Sequence, residues 1–409
     1  MADVASLDVR LHGRTVGLIT RLPNDQNIFT FDSAYVEDTE RATLSLSFKD
    51  SYGALIANHR PTQTRLLPFF SNLLPEDPLR TYLAKRAHVN PEREFFLINA
   101  LGRDLPGALE IVAHEGDLAS IDEEASRRQM GTREDQALRF SLAGVQLKFS
   151  AVQRAKGGLT IPADGIGGSW IVKLPSDRFA GVPENEFAMM ELARHVGINV
   201  PETRLMAIQD IQGLPSGVEI VGDKVFAIRR FDRAADGAKV HIEDFAQVFG
   251  VYPSRKYDNA SYRNIAQVLW IETGQEGTSE FIRRLVFNAL IGNADMHLKN
   301  WSLIYPGGRT AEIAPAYDFV ATIAFLPDKK MALNLVDSKE FASLTRDQFI
   351  RFANKAGLPE KATVDVVEET VDRFAAVWKK AAVPLDDKTH GAIERHLRSI
   401  PIWRALQGG

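Results

Sequence analysis

Ile291-Gly292-Asn293-Ala294-Asp295-Met296-His297-Leu298-Lys299-Asn300, followed downstream by Tyr317-Asp318-Phe319, is the stretch whose reading decides the fold. An Asp-x4-Asn pair with a later strand-end aspartate is the acidic centre of a kinase and points to phosphoryl transfer. Just upstream, Ser279 to Ile291 carries apolar residues at Phe281, Ile282, Leu285, Val286, Ala289 and Leu290, a serine to cap its start, and Gly292 where a C-terminal glycine belongs. The pattern predicts a buried helix over 279–291, with Asp295 in the loop beyond it.

From Asn300 the chain reads as a strand over Trp301 to Tyr305, a turn at Pro306-Gly307-Gly308, and a returning strand through Ile313 that ends near Asp318. Asn300 and Asp318 are taken to lie equally far from the turn. A hairpin so centred sets them side by side, where an amide oxygen and a carboxylate share a hard divalent cation bridging nucleotide phosphates. Asp295 then orients the attacking hydroxyl and accepts its proton. Without context, Asp-x4-Asn reads equally as turn or cap chemistry, because loops are rich in both residues.

The context is a lysine on a strand well upstream, in Ser169-Trp170-Ile171-Val172-Lys173-Leu174-Pro175. A lysine flanked by apolar residues either snorkels out from a sheet edge or meets phosphates and a carboxylate, because unpaired burial of its charge is costly. The next element, Pro183 to Val196, opens with proline, stops at Gly197, and offers Phe187, Met190, Ala193 and Val196 as an inward face. Glu186 in its first turn is the candidate ion-pair partner of Lys173. Glu184 competes for that role, and a first-turn glutamate also answers the helix dipole.

The chain has 409 residues, 45% of them hydrophobic, enough for two domains or a two-lobed domain with an accessory module. No run of eighteen apolar residues occurs, and Met1 to Ser6 lacks the basic and apolar parts of a secretory signal. Absence of cysteine excludes disulfides and thiolate ligands and fits a reducing cytoplasm, and the nine histidines form no metal-ligand spacing. A net charge of −4 and a pI near 6.2 argue against binding nucleic acid by charge alone.

Along the chain, strand-like runs at Leu7 to Leu11, Thr15 to Ile19 and Ala42 to Leu46 precede helical sequence from Leu67 to Gly102. The charged stretch Glu115 to Glu134 reads as a linker. A second strand-rich region runs from Arg139 to Phe231, and helices dominate beyond Glu243. Among them are Thr345 to Gly357, with Thr345 and Gln348 as a capping box, and Val364 to Trp378. The expected organisation is an α+β module over 1–113, a linker over 114–138, a strand-rich nucleotide-binding lobe over 139–242 and a helical catalytic lobe over 243–409. This is an α+β, two-lobed, protein-kinase-like fold with its nucleotide in the cleft.

No Gly-x-Gly-x-x-Gly lies near Lys173, and Gly165-Ile166-Gly167-Gly168 reads as a hairpin turn. In its place stands Phe140-Ser141-Leu142-Ala143-Gly144-Val145-Gln146-Leu147-Lys148, a small-residue turn running into an alternating strand, whose backbone N–H groups can cap phosphates. Here the sequence resembles the HipA family, the serine/threonine kinase toxins of bacterial type II toxin–antitoxin modules. The resemblance extends over Phe69 to Glu76, Gly102-Arg103-Asp104, Glu184-Asn185-Glu186 through Val200-Pro201, Arg230-Phe231-Asp232-Arg233, and the Asp295 and Asp318 segments.

That resemblance implies ATP and Mg2+ as cofactors, Asp295 as catalytic base, Asn300 and Asp318 as metal ligands, and Lys173 as the phosphate-contacting lysine. It makes Ala143 to Lys148 the phosphate loop, and Arg229, Arg230 and Phe231 the interlobe hinge that meets adenine. It places His297, Leu298 and Lys299 close to ATP, with Lys299 able to neutralise charge on the transferred group; a structural role for His297 stays open. Ser141 matches the family's self-phosphorylation position, where a phosphate would add about −1.5 to −2 charges beside Lys148 and Lys173. The implied substrate is a serine of a translation protein such as an aminoacyl-tRNA synthetase. Growth arrest and persistence follow, together with a HipB-like helix-turn-helix antitoxin and DNA contact only through it. A small-molecule kinase and a non-catalytic corepressor are the alternatives. The family often has glutamate where Arg229 stands and glutamine where Ile242 stands, and the segment from Ala321 to Leu335 is shorter than in familiar members.

Overall fold

The structure, a computed structural model, describes residues 5–77, 79–114, 148–154, 158–162, 167–175, 178–214, 222–380 and 383–407. The expected linker beyond His114, Ser141, and Ala143 to Leu147 lie outside the described residues.

Alternation of apolar and polar residues builds the first sheet. Strands β1 (Ala5–Leu11), β2 (Arg14–Leu22), β3 (Gln26–Phe31), β4 (Thr62–Gln63) and β5 (Leu109–Ala113) form an antiparallel sheet in the order β4-β3-β2-β1-β5. Leu7, Val9, Leu11, Val16 and Ile19 face helices Pro68–Ser71, Leu79–Arg86 and Glu94–Leu101 in one apolar core, in which Phe29, Phe48, Phe69 and Phe70 meet edge-on or tilted.

Ala42 to Leu46 is not a strand. Its polar groups bond outward instead: Thr43 N to Gly308 O (2.8 Å), Leu44 O with His241 Nε2 (2.8 Å), and Ser45 Oγ and Leu46 N to the buried Glu243 carboxylate (2.5 and 3.0 Å). A 3-10 turn at Leu46–Phe48 capped by Ser45 follows. Local β propensity here yields to docking against the third sheet and its hairpin, at His241, Glu243 and Gly308.

The second sheet contains β6 (Lys148–Gln153), β7 (Leu159–Thr160), β8 (Trp170–Lys173), β9 (Thr203–Ala207), β10 (Ile211–Gln212) and β11 (Lys224–Arg229), in the order β10-β7-β6-β8-β11-β9. Only β10 with β7 is parallel among these pairs. Helix Val182–Val196 packs across β9 and β11, with Gly197 at φ 92° ending it. A third sheet, β12 (His241–Asp244), β13 (Ser302–Tyr305) and β14 (Glu312–Ile313), floors the helical lobe.

The helix expected over 279–291 runs from Tyr262 to Ile291. Ser261 and Asn264 form its capping box, and Gly274, at φ 65° and ψ −154°, breaks the spiral midway, so Ser279 lies inside a helix already begun. Helix Arg346–Ala356 is capped by Thr345 alone, and helix Glu360–Lys379 starts four residues before the expected Val364.

The segment expected to be a nucleotide hinge joins the N-terminal module to the second sheet. Arg230 is fully buried, donating to Asp232 (2.9 and 2.7 Å), Asp104 (3.3 Å) and Ser150 Oγ (3.1 Å), while Arg233 reaches the same two carboxylates. Asp232 Oδ2 also accepts Gly107 N at 2.8 Å. The guanidinium is thus committed to the module and not to a base. The substitution Arg230→Met leaves Asp104 and Asp232 buried with one cation for two acids. We expect a loss of about 3–5 kcal/mol in urea unfolding, and a loss under about 1 kcal/mol would show that the cluster does not hold the module.

Candidate active site

The glycine-ended helix Tyr262–Ile291 delivers the first site residues. Gly292 takes φ 68°, which turns the chain so that Asn293 to Asn300 runs beneath the second sheet. Asp295 lies in this loop, exposed to solvent, with its backbone held by Asn293 Oδ1 (3.1 Å to its N–H), His297 N (2.8 Å to its carbonyl) and Asn300 Nδ2 (2.9 Å to the same carbonyl). Its Oδ1 accepts the Tyr257 hydroxyl at 2.5 Å. Partial desolvation by the neighbouring protein pushes the Asp295 carboxyl above its usual range even though the residue reaches solvent, while the Tyr257 hydrogen bond and Lys256 pull the other way.

The hairpin that carries Asn300 and Asp318 is offset from the expected one. Leu303 pairs with Ile313 and Ile304 with Glu312, a register centred on Gly308, so Asn300 is level with Ala316. Ala314 N still bonds to Ser302 O at 2.9 Å, and only beyond it does the chain leave the hairpin, Ala316 N bonding to Asn199 O at 2.8 Å. Asp318 then adopts a left-handed φ of 58°. Its carbonyl accepts Asn293 Nδ2 at 3.2 Å. A chain of hydrogen bonds therefore runs Asp318, Asn293, Asp295, Asn300, joining the two halves of the acidic centre through a residue the sequence reading passed over.

On the opposite wall, Lys173 at the end of β8 donates to Glu186 Oε1 at 2.5 Å and to Asp318 Oδ1. Glu184, the competing candidate, is half-buried, and the ion pair to Lys173 is made by Glu186. Burial alone would strip the proton from Lys173, but the two carboxylates outweigh it and raise its pKa. One ammonium serves two acids, and they share it unequally. Burial raises the Glu186 carboxyl to about 7 despite Lys173, with Asp318 adding to the rise, while Asp318, its side chain 25% exposed against 1%, is held well below the usual range by Lys173 and Lys148.

Lys148 lies opposite Lys173 in the β6–β8 register. It too is buried, and desolvation brings its pKa down to about 8, with Asp318 opposing and Lys173 assisting.

The remaining candidates divide. Leu298 and Asn300 form a short 3-10 turn with Lys299. Lys299 does not face the acids of the cleft; its ammonium pairs with Glu76 (3.1 Å) and the Asn72 carbonyl (3.3 Å) of the N-terminal module. Glu76 also binds Lys256 at 2.6 Å, so a module residue clamps the Asp295 loop and the strap before it. His297 is buried, its ring edge-on to Tyr257 at 5.0 Å and its Nδ1 without a partner among the described residues; burial lowers its pKa to about 3, leaving it neutral. Arg229 is exposed at the end of β11, and Phe231 lies 5.7 Å from the Tyr317 ring. Tyr257, Asn293, Glu76 and Lys256 were missed. Single polar residues without motif spacing carried no signal for them.

Two known domain families match this chain: the HipA-like C-terminal domain over residues 140–378 and the HipA N-terminal domain over residues 7–112. Over 409 residues, 99% of each chain, the protein is 53% identical to "Putative kinase Y4dM" of Sinorhizobium fredii. It is 26% identical over 428 positions, 95% of this chain and 93% of the relative, to the serine/threonine-protein kinase toxin HipA of Shewanella oneidensis. A chain of the Shewanella oneidensis MR-1 complex of HipA, HipB and operator DNA superposes with a TM-score of 0.71 at 21% identity, covering 98% of this chain and 99% of that one, which makes the fold the same.

Glu76 offers a test of the clamp. Burial would raise its pKa, but Lys299 and Lys256 hold it down at about 2 from an ordinary 4.5. A depressed folded-state pKa stabilises above the unfolded value and loses that contribution as pH falls through the folded one. Wild type should exceed Glu76→Gln by about 1–3 kcal/mol in urea unfolding at pH 7, the gap closing between about pH 5 and 2. A gap that does not change with pH would refute the clamp.

Proposed function

Because the chain belongs to the HipA family, we propose that it is a serine/threonine-protein kinase toxin that moves the γ-phosphoryl group of ATP to a serine of a translation protein. By family analogy the acceptor is an aminoacyl-tRNA synthetase, and its modification arrests growth and favours persistence. The reading is supported above all by the Lys173–Glu186–Asp318 cluster, which is joined through Asn293 to Asp295 and Asn300.

In this reading Lys173 and Lys148 neutralise phosphate charge, and Asp295 receives the proton of the attacking hydroxyl. The Asp318 carboxylate and Asn300 amide oxygen suit a hard divalent cation, Mg2+, which when bound neutralises charge on the phosphates. Among the described residues no group of three or more His, Asp or Glu side chains gathers as a metal cage. That donor set is the one expected when the cation arrives on a nucleotide, since Mg2+ is commonly held by one or two protein carboxylates plus phosphates. Ser141 is the self-phosphorylation site, and the protein's partner is a small HipB-like helix-turn-helix antitoxin through which it meets operator DNA. No described helix is long and apolar enough to cross a membrane. We place the protein in the cytoplasm.

Expression of wild type and Asp295→Asn without the antitoxin tests the reading. Growth arrest should follow only wild type, ATP turnover in the variant should fall by roughly a thousandfold or more, and phosphopeptide mass spectrometry should reveal a modified serine in a translation protein. Equal toxicity of the two chains sinks the enzymatic account. Turnover stimulated by small metabolites and not by a cytosolic protein extract would favour a small-molecule kinase instead.

A further inference from the structure

Asp295 has a fixed backbone and a nearly free side chain. Three hydrogen bonds hold its main chain, but among the described residues its carboxylate has a single hydrogen-bond partner, the Tyr257 hydroxyl on Oδ1, while Oδ2 has none. A carboxylate with two rotatable bonds keeps one orientation only if something grips it.

Tyr257 is built to grip. It follows the 3-10 turn Pro253–Arg255, and the preceding residue, Lys256, is locked on both sides: its ammonium to Glu76 at 2.6 Å, its carbonyl to Leu298 N at 3.2 Å. The ring stands edge-on to His297 at 5.0 Å, the Lys256 ammonium lies 5.6 Å from its centroid, and its carbonyl accepts Lys339 Nζ at 3.2 Å. Yet Tyr257 is 40% exposed, so core filling does not account for it. A ring braced against the catalytic loop, with its hydroxyl aimed at the one acid of that loop, has a geometric role.

We propose that Tyr257 is a positioning residue for phosphoryl transfer: its phenol fixes Oδ1 of Asp295 and thereby turns Oδ2 toward the acceptor hydroxyl. The inference rests on reading Asp295 as the base. In the step so arranged, the acceptor oxygen forms its bond to the γ-phosphorus, the bond from that phosphorus to the β–γ bridging oxygen breaks, ADP leaves with that electron pair, and the acceptor proton passes to Oδ2. The phenol keeps its own proton throughout, because burial and the adjacent Asp295 both raise its pKa.

Tyr257→Phe retains the ring contacts and removes only the hydroxyl. Full-length wild type, Tyr257→Phe, Asp295→Asn and the double variant are compared with Mg2+ and ATP, reading ADP release and phosphate transfer into proteins of a bacterial cytosolic extract. We expect Tyr257→Phe to lower kcat roughly ten- to hundredfold with the KM for ATP within about twofold and the melting temperature unchanged, as for loss of alignment. The double variant should be no slower than Asp295→Asn. An unchanged kcat in Tyr257→Phe beside an inactive Asp295→Asn overturns the role of Tyr257 and spares the base. A faster Tyr257→Phe, or one altered only in the KM for ATP, overturns it also. Full activity in Asp295→Asn removes the base and the positioning residue together, and so does a wild type that releases no ADP.

Discussion

One lysine shared between a buried and a half-buried carboxylate organises this molecule. Lys173, Glu186 and Asp318 come from a strand, a helix and the segment after a hairpin, 145 residues apart at the extremes. Each charge is costly to bury alone, and each is tolerable only when the other two are in place. The cluster therefore exists only when the second sheet, helix Val182–Val196 and the helical lobe are all assembled, and it works as a check on correct folding as much as a source of stability. It also biases the two acids in opposite directions: the adjacent lysines hold the Asp318 carboxyl low, while burial pushes the Glu186 carboxyl up.

Much of this was legible in the chain. Apolar residues on both sides of Lys173 left it only burial with a partner or escape from an edge, and the helix that begins after Gly181 was near enough to supply that partner, though Glu186 lies one residue past its first turn, where Glu184 sits. Gly292 marked the end of a helix because no side chain tolerates its φ as easily. What was not legible depends on distant chain. The register of a hairpin with a Pro-Gly-Gly turn is set by which residues pair, and here the ladder closes on Gly308, two residues short of placing Asn300 opposite Asp318. Ala42 to Leu46 has the composition of a strand, but its polar groups find stronger partners in Glu243 and His241, almost two hundred residues away. Arg230 sits in a segment that by sequence is a hinge, and only the folded chain shows Asp104 waiting beside it.

The N-terminal module is consequently part of the site's frame. Glu76 binds Lys299 inside the loop that carries Asp295 and Lys256 next to Tyr257, Asn72 donates to the Val251 carbonyl, and Gln247 donates to the Phe69 carbonyl. A module that contributed only a docking surface would have no reason to reach the loop that carries Asp295. Its removal would leave Lys299 and Lys256 without their shared acid, and the loop would lose its floor.

Charge balance within the cleft then constrains what can enter it. Lys148 and Lys173 face Glu186 and Asp318, two cations against two acids, so the cluster by itself is close to neutral when all four are ionised. A triphosphate brings several negative charges into this space, and the obvious further cation, Lys299, is committed to Glu76. The cleft can accept such a ligand without a large electrostatic penalty only if positive charge arrives with it, or if protons are taken up. Burial favours the neutral form of Glu186, whose side chain is 1% exposed against 25% for Asp318, so a proton taken up to balance such a ligand would be accommodated more readily at Glu186 than at Asp318.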